Sequence, residues 1–144
     1  MEKLATFTLS EFNNKELDSC HLLIIEFIDV PFTDLKFKMF LSEFKDMMQF
    51  ISASTDISQF VMFFNLKNCS YIPITQTPVF IELIMSYQDM FQEKLLCTQA
   101  FIESNFMTVI SNLFCKLYKT VKPFLFLKTD EIDYENIINI LKQT

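Results

Sequence analysis

Cys20 and His21 are the one place in the chain where a possible nucleophile and a possible general base stand side by side, because His21 is the only histidine among 144 residues. Such a pair performs nucleophilic chemistry only when the imidazole reaches the thiol and a donor group waits for the oxyanion. The two residues open the run His21 to Val30 (HLLIIEFIDV), whose β-branched and aromatic residues read as a strand. Neighbours on a strand point to opposite faces, so thiol and imidazole do not meet. Cys69, Cys97 and Cys115 stand alone, with no CxxC and no short pairing to the histidine, and read with Cys20 as reduced, buried thiols of a cytoplasmic protein. Carboxylates are the other chemical candidates. Glu26 and Asp29 lie in the same apolar run, where a buried carboxylate must be paired or protonated. The plainer reading puts Glu26 toward an edge and has Asp29 end the strand by bonding turn amides. Asp130, Glu131, Asp133 and Glu135 form an acidic helix start, which the helix dipole favours without a metal.

What is missing excludes more. The chain has no glycine, which removes GxGxxG, the P-loop and the GxSxG elbow, all of which need a backbone without Cβ. It has no arginine and one histidine, which removes an arginine phosphate clamp, HExxH and multi-histidine metal sites. The sequence thus points away from an enzyme and names no catalytic residue, cofactor or metal. A net charge of −6, with 12 lysines scattered among 18 acidic residues, gives no basic stripe for nucleic acid and no polybasic cluster for anionic membranes. Apolar runs such as Leu22 to Ile25 and Phe60 to Phe64 are far below the roughly 20 residues of a transmembrane helix, and residues 1–10 alternate where a signal peptide would be apolar. Few alanines beside many Phe, Ile, Lys and Asn indicate an AT-rich coding sequence.

The elements follow from periodicity. Leu4 to Leu9 alternates as a short, partly exposed strand, and Glu11 to Ser19 is a turn in which Asn13-Asn14 can supply a left-handed residue. After the His21 to Val30 strand, Phe37, Phe40, Leu41, Phe44, Met47, Met48 and Ile51 recur at spacings of three and four, an amphipathic helix capped by Thr33 or Asp34. Gln59 to Leu66 (QFVMFFNL) is a buried strand, and Lys67 to Thr77 a polar loop. Thr77-Pro78 is an N-cap and N1 pair for a helix whose stripe runs from Phe80 to Phe91. Leu95 to Glu103 is a third interior strand, and Ser104 or Asn105 caps a helix reaching Val121. Phe124 to Lys128 is a last strand, and a terminal helix starts at Thr129 or Asp130 with Ile137, Ile138 and Leu141 inward. The order β-β-α-β-α-β-α-β-α predicts one α/β domain over 1–144, with a five-stranded, mostly parallel sheet and about four helices. Met39, Phe106 and Phe124 fall off or at the ends of the apolar stripes and could join an exposed patch.

Two stretches carry a family likeness. In Phe60 to Gln76 a buried strand ends in Asn65-Leu66 and leads to a turn, Pro73-Ile74-Thr75-Gln76, that opens a helix. In Ala100 to Ile132 (AFIESNFMTVISNLFCKLYKTVKPFLFLKTDEI) a strand, an apolar helix with Asn-Leu-Phe, and a Lys-x-x-x-Pro segment lead to a final strand. The first resembles the strand and loop of STAS domains; the second is similar to the C-terminal half of STAS and small CRAL-TRIO-like domains. The resemblance implies a non-catalytic module that binds a protein partner or forms a homodimer through the loop and following helix, with Ser70, Tyr71, Ile72, Thr75 and Gln76 as contact residues. The loop lies at the carboxyl end of a strand, where open α/β sheets present their sites. Where STAS antagonists of the phosphorylated type have a serine, this chain has Ile74; Thr75 and Ser70 are the nearby hydroxyls. The CRAL-TRIO likeness implies an alternative, a carrier of a lipid or other apolar ligand in a cavity of a few hundred Å³ or more.

Overall fold

The computed structural model describes residues 2–12, 14–17, 20–69, 71–103, 108–109, 111–112 and 122–143. It is an α/β fold built on five strands, β1 (Ala5–Glu11), β2 (Cys20–Phe27), β3 (Gln59–Leu66), β4 (Leu95–Ile102) and β5 (Phe124–Phe126), which lie side by side in chain order. β1 and β2 pair antiparallel, and the remaining pairs are parallel. The helices whose residues are described from end to end are α1 (Asp34–Ala53), α2 (Thr77–Met85), α3 (Gln88–Lys94) and α4 (Tyr134–Lys142).

Parallel strands in sequential order put crossovers of one hand on one face, and two cores result. On the first face Leu23, Ile25, Phe60, Met62 and Phe64 meet Phe37, Phe40, Phe44 and Met48 of α1 and Ile81, Ile84 and Phe91 of α2 and α3. On the second, Leu22, Val61, Phe63 and Cys97 meet Phe12, Leu17 and Ile137 of α4. β3 sits centrally, and the alternation of its side chains feeds both cores. Leu96 is the extra residue of an irregularity between the Phe60–Leu95 and Val61–Cys97 pairs.

α1 starts as its sequence predicts, with Thr33 Oγ1 accepting from the Lys36 N–H at 3.1 Å. Its last turn holds no basic residue of its own. Lys94, at the end of α3, donates instead to the carbonyls of Ile51 and Ser54, each at 2.8 Å, satisfying orphan acceptors where the helix dipole is negative.

Three expectations change. The helix expected from Thr77 through Phe91 is two helices, because Ser86 Oγ donates to the Leu83 carbonyl at 2.6 Å and Tyr87 leaves helical geometry. Thr77 is not an N-cap: a 3-10 turn at Ile74–Gln76 runs directly into the helix and makes Thr77 its first residue. The terminal helix is capped by Asp133, whose carboxylate accepts from the Asn136 N–H at 3.0 Å, and not by Thr129 or Asp130. No described residue has positive φ; Asn14 accepts from the Glu16 N–H at 2.9 Å through its side chain, while Asn13 lies outside the described residues. Most of the helix expected across 104–121, Phe106 and Cys115 included, also lies outside them; Thr108, Val109, Ser111 and Asn112 are helical. Met39 and Phe124 are half-buried.

Candidate functional site

The Cys-His pair is separated by the strand that carries it. Cys20 is buried in the second core, and its thiol donates to the His21 carbonyl at 3.6 Å, while His21 faces the α1 side, its Nε2 3.8 Å from Glu11 Oε1. Burial pushes the Cys20 and Cys97 thiols up to about 12 and Cys69 up to about 11, so all three are held as thiols, not as nucleophilic thiolates. Cysteine ionises near 9.0 when unfolded. Stability from these groups is therefore complete below that value and is lost as pH rises from there toward about 12. A C115S variant is expected to show no thiol reactive to Ellman's reagent at neutral pH until denaturant unfolds it; rapid labelling of the native protein would contradict this burial. Glu26 is exposed and accepts from Asn65 Nδ2 at 3.5 Å; Asp29 is exposed beyond the strand end. Neither carboxylate is buried. Among the described residues no group of three or more His, Cys, Asp or Glu side chains could hold a metal ion, and no helix is long and apolar enough to cross a membrane.

The loop after β3 is built differently. Asn65 Oδ1 accepts from the Lys67 N–H at 3.1 Å, and the Cys69 N–H donates to the Leu66 carbonyl at 3.1 Å, folding the chain over the strand end. Lys67 Nζ reaches Asp130 Oδ2 at 3.2 Å, tying this loop to the segment after β5. The hydrogen bond and charge of Asp130 raise the Lys67 ammonium above its ordinary 10.5. Cys69 is buried below, and Ile72 packs half-buried on the first core. The loop thus has an anchored base and an exposed crest.

On that crest Tyr71 is 53 % exposed and Ile74 48 %, and Val79 in the first turns of α2 is 43 % exposed. The Tyr71 ring stands edge-on to Phe32 at 6.3 Å and 89°, a contact that orders it without covering it. Thr75 is exposed and Gln76 half-buried. The structure therefore places Tyr71, Ile72, Thr75 and Gln76 on one loop at the carboxyl ends of the strands; Ser70 lies outside the described residues. Ile74, Val79 and Phe32 were not singled out by sequence. Ile74 carried a signal, an apolar residue in an otherwise polar turn, whereas Phe32 joins only through the fold.

Below the loop, between the sheet and α1 and α2, lies a cavity of about 130 Å³ lined by Phe40, Phe64, Phe80, Thr98, Gln76 and Thr77. Thr77 Oγ1 is buried with no hydrogen-bond partner among the described residues. Such a volume falls short of the 300–1,000 Å³ or so that drug-sized ligands occupy.

The second face holds a polar device that the sequence reading missed. Gln99, fully buried on β4, donates to the Asp133 carbonyl at 3.0 Å and to Asn136 Oδ1 at 3.2 Å, and accepts from the Asp133 N–H at 3.0 Å. One amide therefore fixes the start of α4 on the sheet. These features define an open α/β domain with a clamped terminal helix and an apolar-crested loop at the carboxyl ends of its strands. No protein-family model, curated protein or solved structure matches the chain.

Proposed function

We propose that the chain is a non-catalytic, STAS-like interaction module that binds a protein partner, or a second copy of itself, through the loop after β3 and the first turns of α2. The observation that carries this reading is the exposure of Tyr71, Ile74 and Val79 on a loop whose base is fixed by Cys69, Ile72 and the Lys67–Asp130 pair. Aromatic and aliphatic side chains presented on a fixed frame bind with little ordering cost. The sequential sheet with its antiparallel first strand supports the STAS likeness. The buried, free thiols support a reducing, cytoplasmic setting. The cavity beneath this loop, at about 130 Å³, is too small for a fatty ligand there, which favours the module.

Because Tyr71 and Ile74 are exposed, Y71S/I74S is expected to change stability by no more than about 1 kcal/mol while weakening the complex at least about tenfold. Native mass spectrometry of wild type and variant, each purified from the source cell, measures both the complex and any bound small molecule. A complex unaffected by the double substitution would sink the reading, and an added mass of lipid size in the wild type would replace it with the carrier.

A further inference from the structure

The two edges of the sheet differ. β5 is three residues long and offers little template for another strand. β1 runs for seven residues, ATFTLSE, without proline, glycine or an irregularity in its pairing to β2. Proline, lysine and bulges are devices that blunt an edge, and β1 has none of these, its one charged residue being Glu11 at its end.

Two hydrogen bonds fix which way its backbone groups point. The Ile28 N–H donates to the Leu4 carbonyl at 2.8 Å, and the Phe12 N–H to the Cys20 carbonyl at 3.3 Å. Both pairs continue the register that sets Ala5 against Phe27 and Glu11 against His21. Bonded and non-bonded pairs alternate along an antiparallel ladder. Leu4, Thr6, Thr8, Ser10 and Phe12 therefore bond toward β2, and the N–H and C=O groups of Ala5, Phe7, Leu9 and Glu11 face the open edge. Among the described residues, none of these groups makes a backbone bond outside the sheet.

We propose that this edge pairs antiparallel with the same edge of a second copy about a two-fold axis at Phe7, joining two five-stranded sheets into one. The register sets Ala5 against the partner's Leu9 and Phe7 against the partner's Phe7, so that outward-facing groups meet outward-facing groups throughout. Thr6 then lies across from the partner's Thr8 in a non-bonded pair, where side chains approach most closely. Both threonines are exposed on the face opposite α1, and cross-strand threonine pairs are favourable. Lys3 comes opposite the partner's Glu11, so the charges near the two ends of the edge are complementary in sign across the seam. A slip of two residues either way loses that match. Beside the edge, Phe7, Leu9, Met47 and Phe50 share the lining of an open depression with Glu11, Glu43, Asp46 and Asp56, and Phe50 is 59 % exposed. A strand added to β1 lies beside this mixed surface. The pairing uses the open edge and is independent of the loop after β3.

Sedimentation velocity of the full chain tests this. The wild type is expected to move from 17.1 kDa toward twice that mass as concentration rises. T6K/T8K sets lysines against lysines at both threonine pairs and is expected to weaken the dimer at least about tenfold. T6E/T8K restores opposite charges in this register alone and is expected to restore the dimer. Circular dichroism and thermal unfolding of both variants separate lost pairing from lost folding. Hydrogen exchange of the Phe7 and Leu9 amides should slow with concentration in the wild type. Four results would overturn the assignment: a 17.1 kDa species at every concentration, a dimer unchanged in T6K/T8K, a dimer abolished by Y71S/I74S and kept in T6K/T8K, or amide protection that appears only when an extended peptide of another protein is added.

Discussion

Replacing Phe40 by alanine is expected to destabilise the fold by about 4–5 kcal/mol, the largest effect of any single truncation considered, because Phe→Ala in a core costs about 3–5 kcal/mol before ring-pair terms are added. Phe40 is buried on α1 and its ring lies within 5.2–6.3 Å of those of Phe7, Phe27, Phe37, Phe44 and Phe80. It is the point where the edge strand, the second strand and α2 all bear on one helix. Domains are stable by about 5–15 kcal/mol, so the loss removes between about a quarter and all of the margin. The measurement is the midpoint of urea unfolding with the slope unchanged. Phe40→Leu, which keeps most of the volume, should cost no more than about 1.5 kcal/mol. A midpoint in Phe40→Ala equal to that of the wild type would show that the ring cluster contributes little.

Gln99→Leu is expected to cost about 3 kcal/mol, as buried groups left without partners each cost about 1–3 kcal/mol. The substitution conserves size but strands the Asp133 N–H and carbonyl and the Asn136 side-chain oxygen that the amide now satisfies. Water reaches part of this site, since Asp133 is exposed, which keeps the figure near the lower end of the sum. The distinguishing readout is local. Amides of α4 should exchange faster in Gln99→Leu than in the wild type by more than the global loss of stability accounts for, because the helix is held by this amide and by Ile137. Uniform acceleration across the sheet and α4 would mean that Gln99 acts only on the fold as a whole.

Much of the architecture is legible in the sequence because burial imposes the period. β3 runs from Gln59 to Leu66 as read, since an unbroken apolar stretch with polar residues at both ends fits only a strand covered on two faces. The α1 stripe of Phe37, Phe40, Phe44, Met48 and Ile51 is buried as its spacing requires. The failures share a different cause. The stripe from Phe80 to Phe91 continues across the break at Ser86 and Tyr87, because a change of helix axis need not disturb which residues face the core. Local sequence points to Thr129 or Asp130 as the start of α4, whereas the choice of Asp133 is made by Gln99 from 34 residues away. Local chemistry cannot express that preference. The candidate loop was located from the end of β3, yet its exposed crest depends on what the fold leaves uncovered, which is why Ile74 and Val79 emerged only with the structure.

The described backbone has no residue at positive φ, and this bears on the unfolded chain as much as on the folded one. Glycine is the residue that loses most freedom on folding. A chain of this length with average usage would contain about ten glycines. Where ordinary conformations suffice, each adds about 0.4–1 kcal/mol of unfolded-state entropy relative to alanine. Having no glycine, this protein begins folding from a narrower ensemble. The same buried apolar surface therefore leaves a larger net stability than it would in a glycine-bearing chain of equal size.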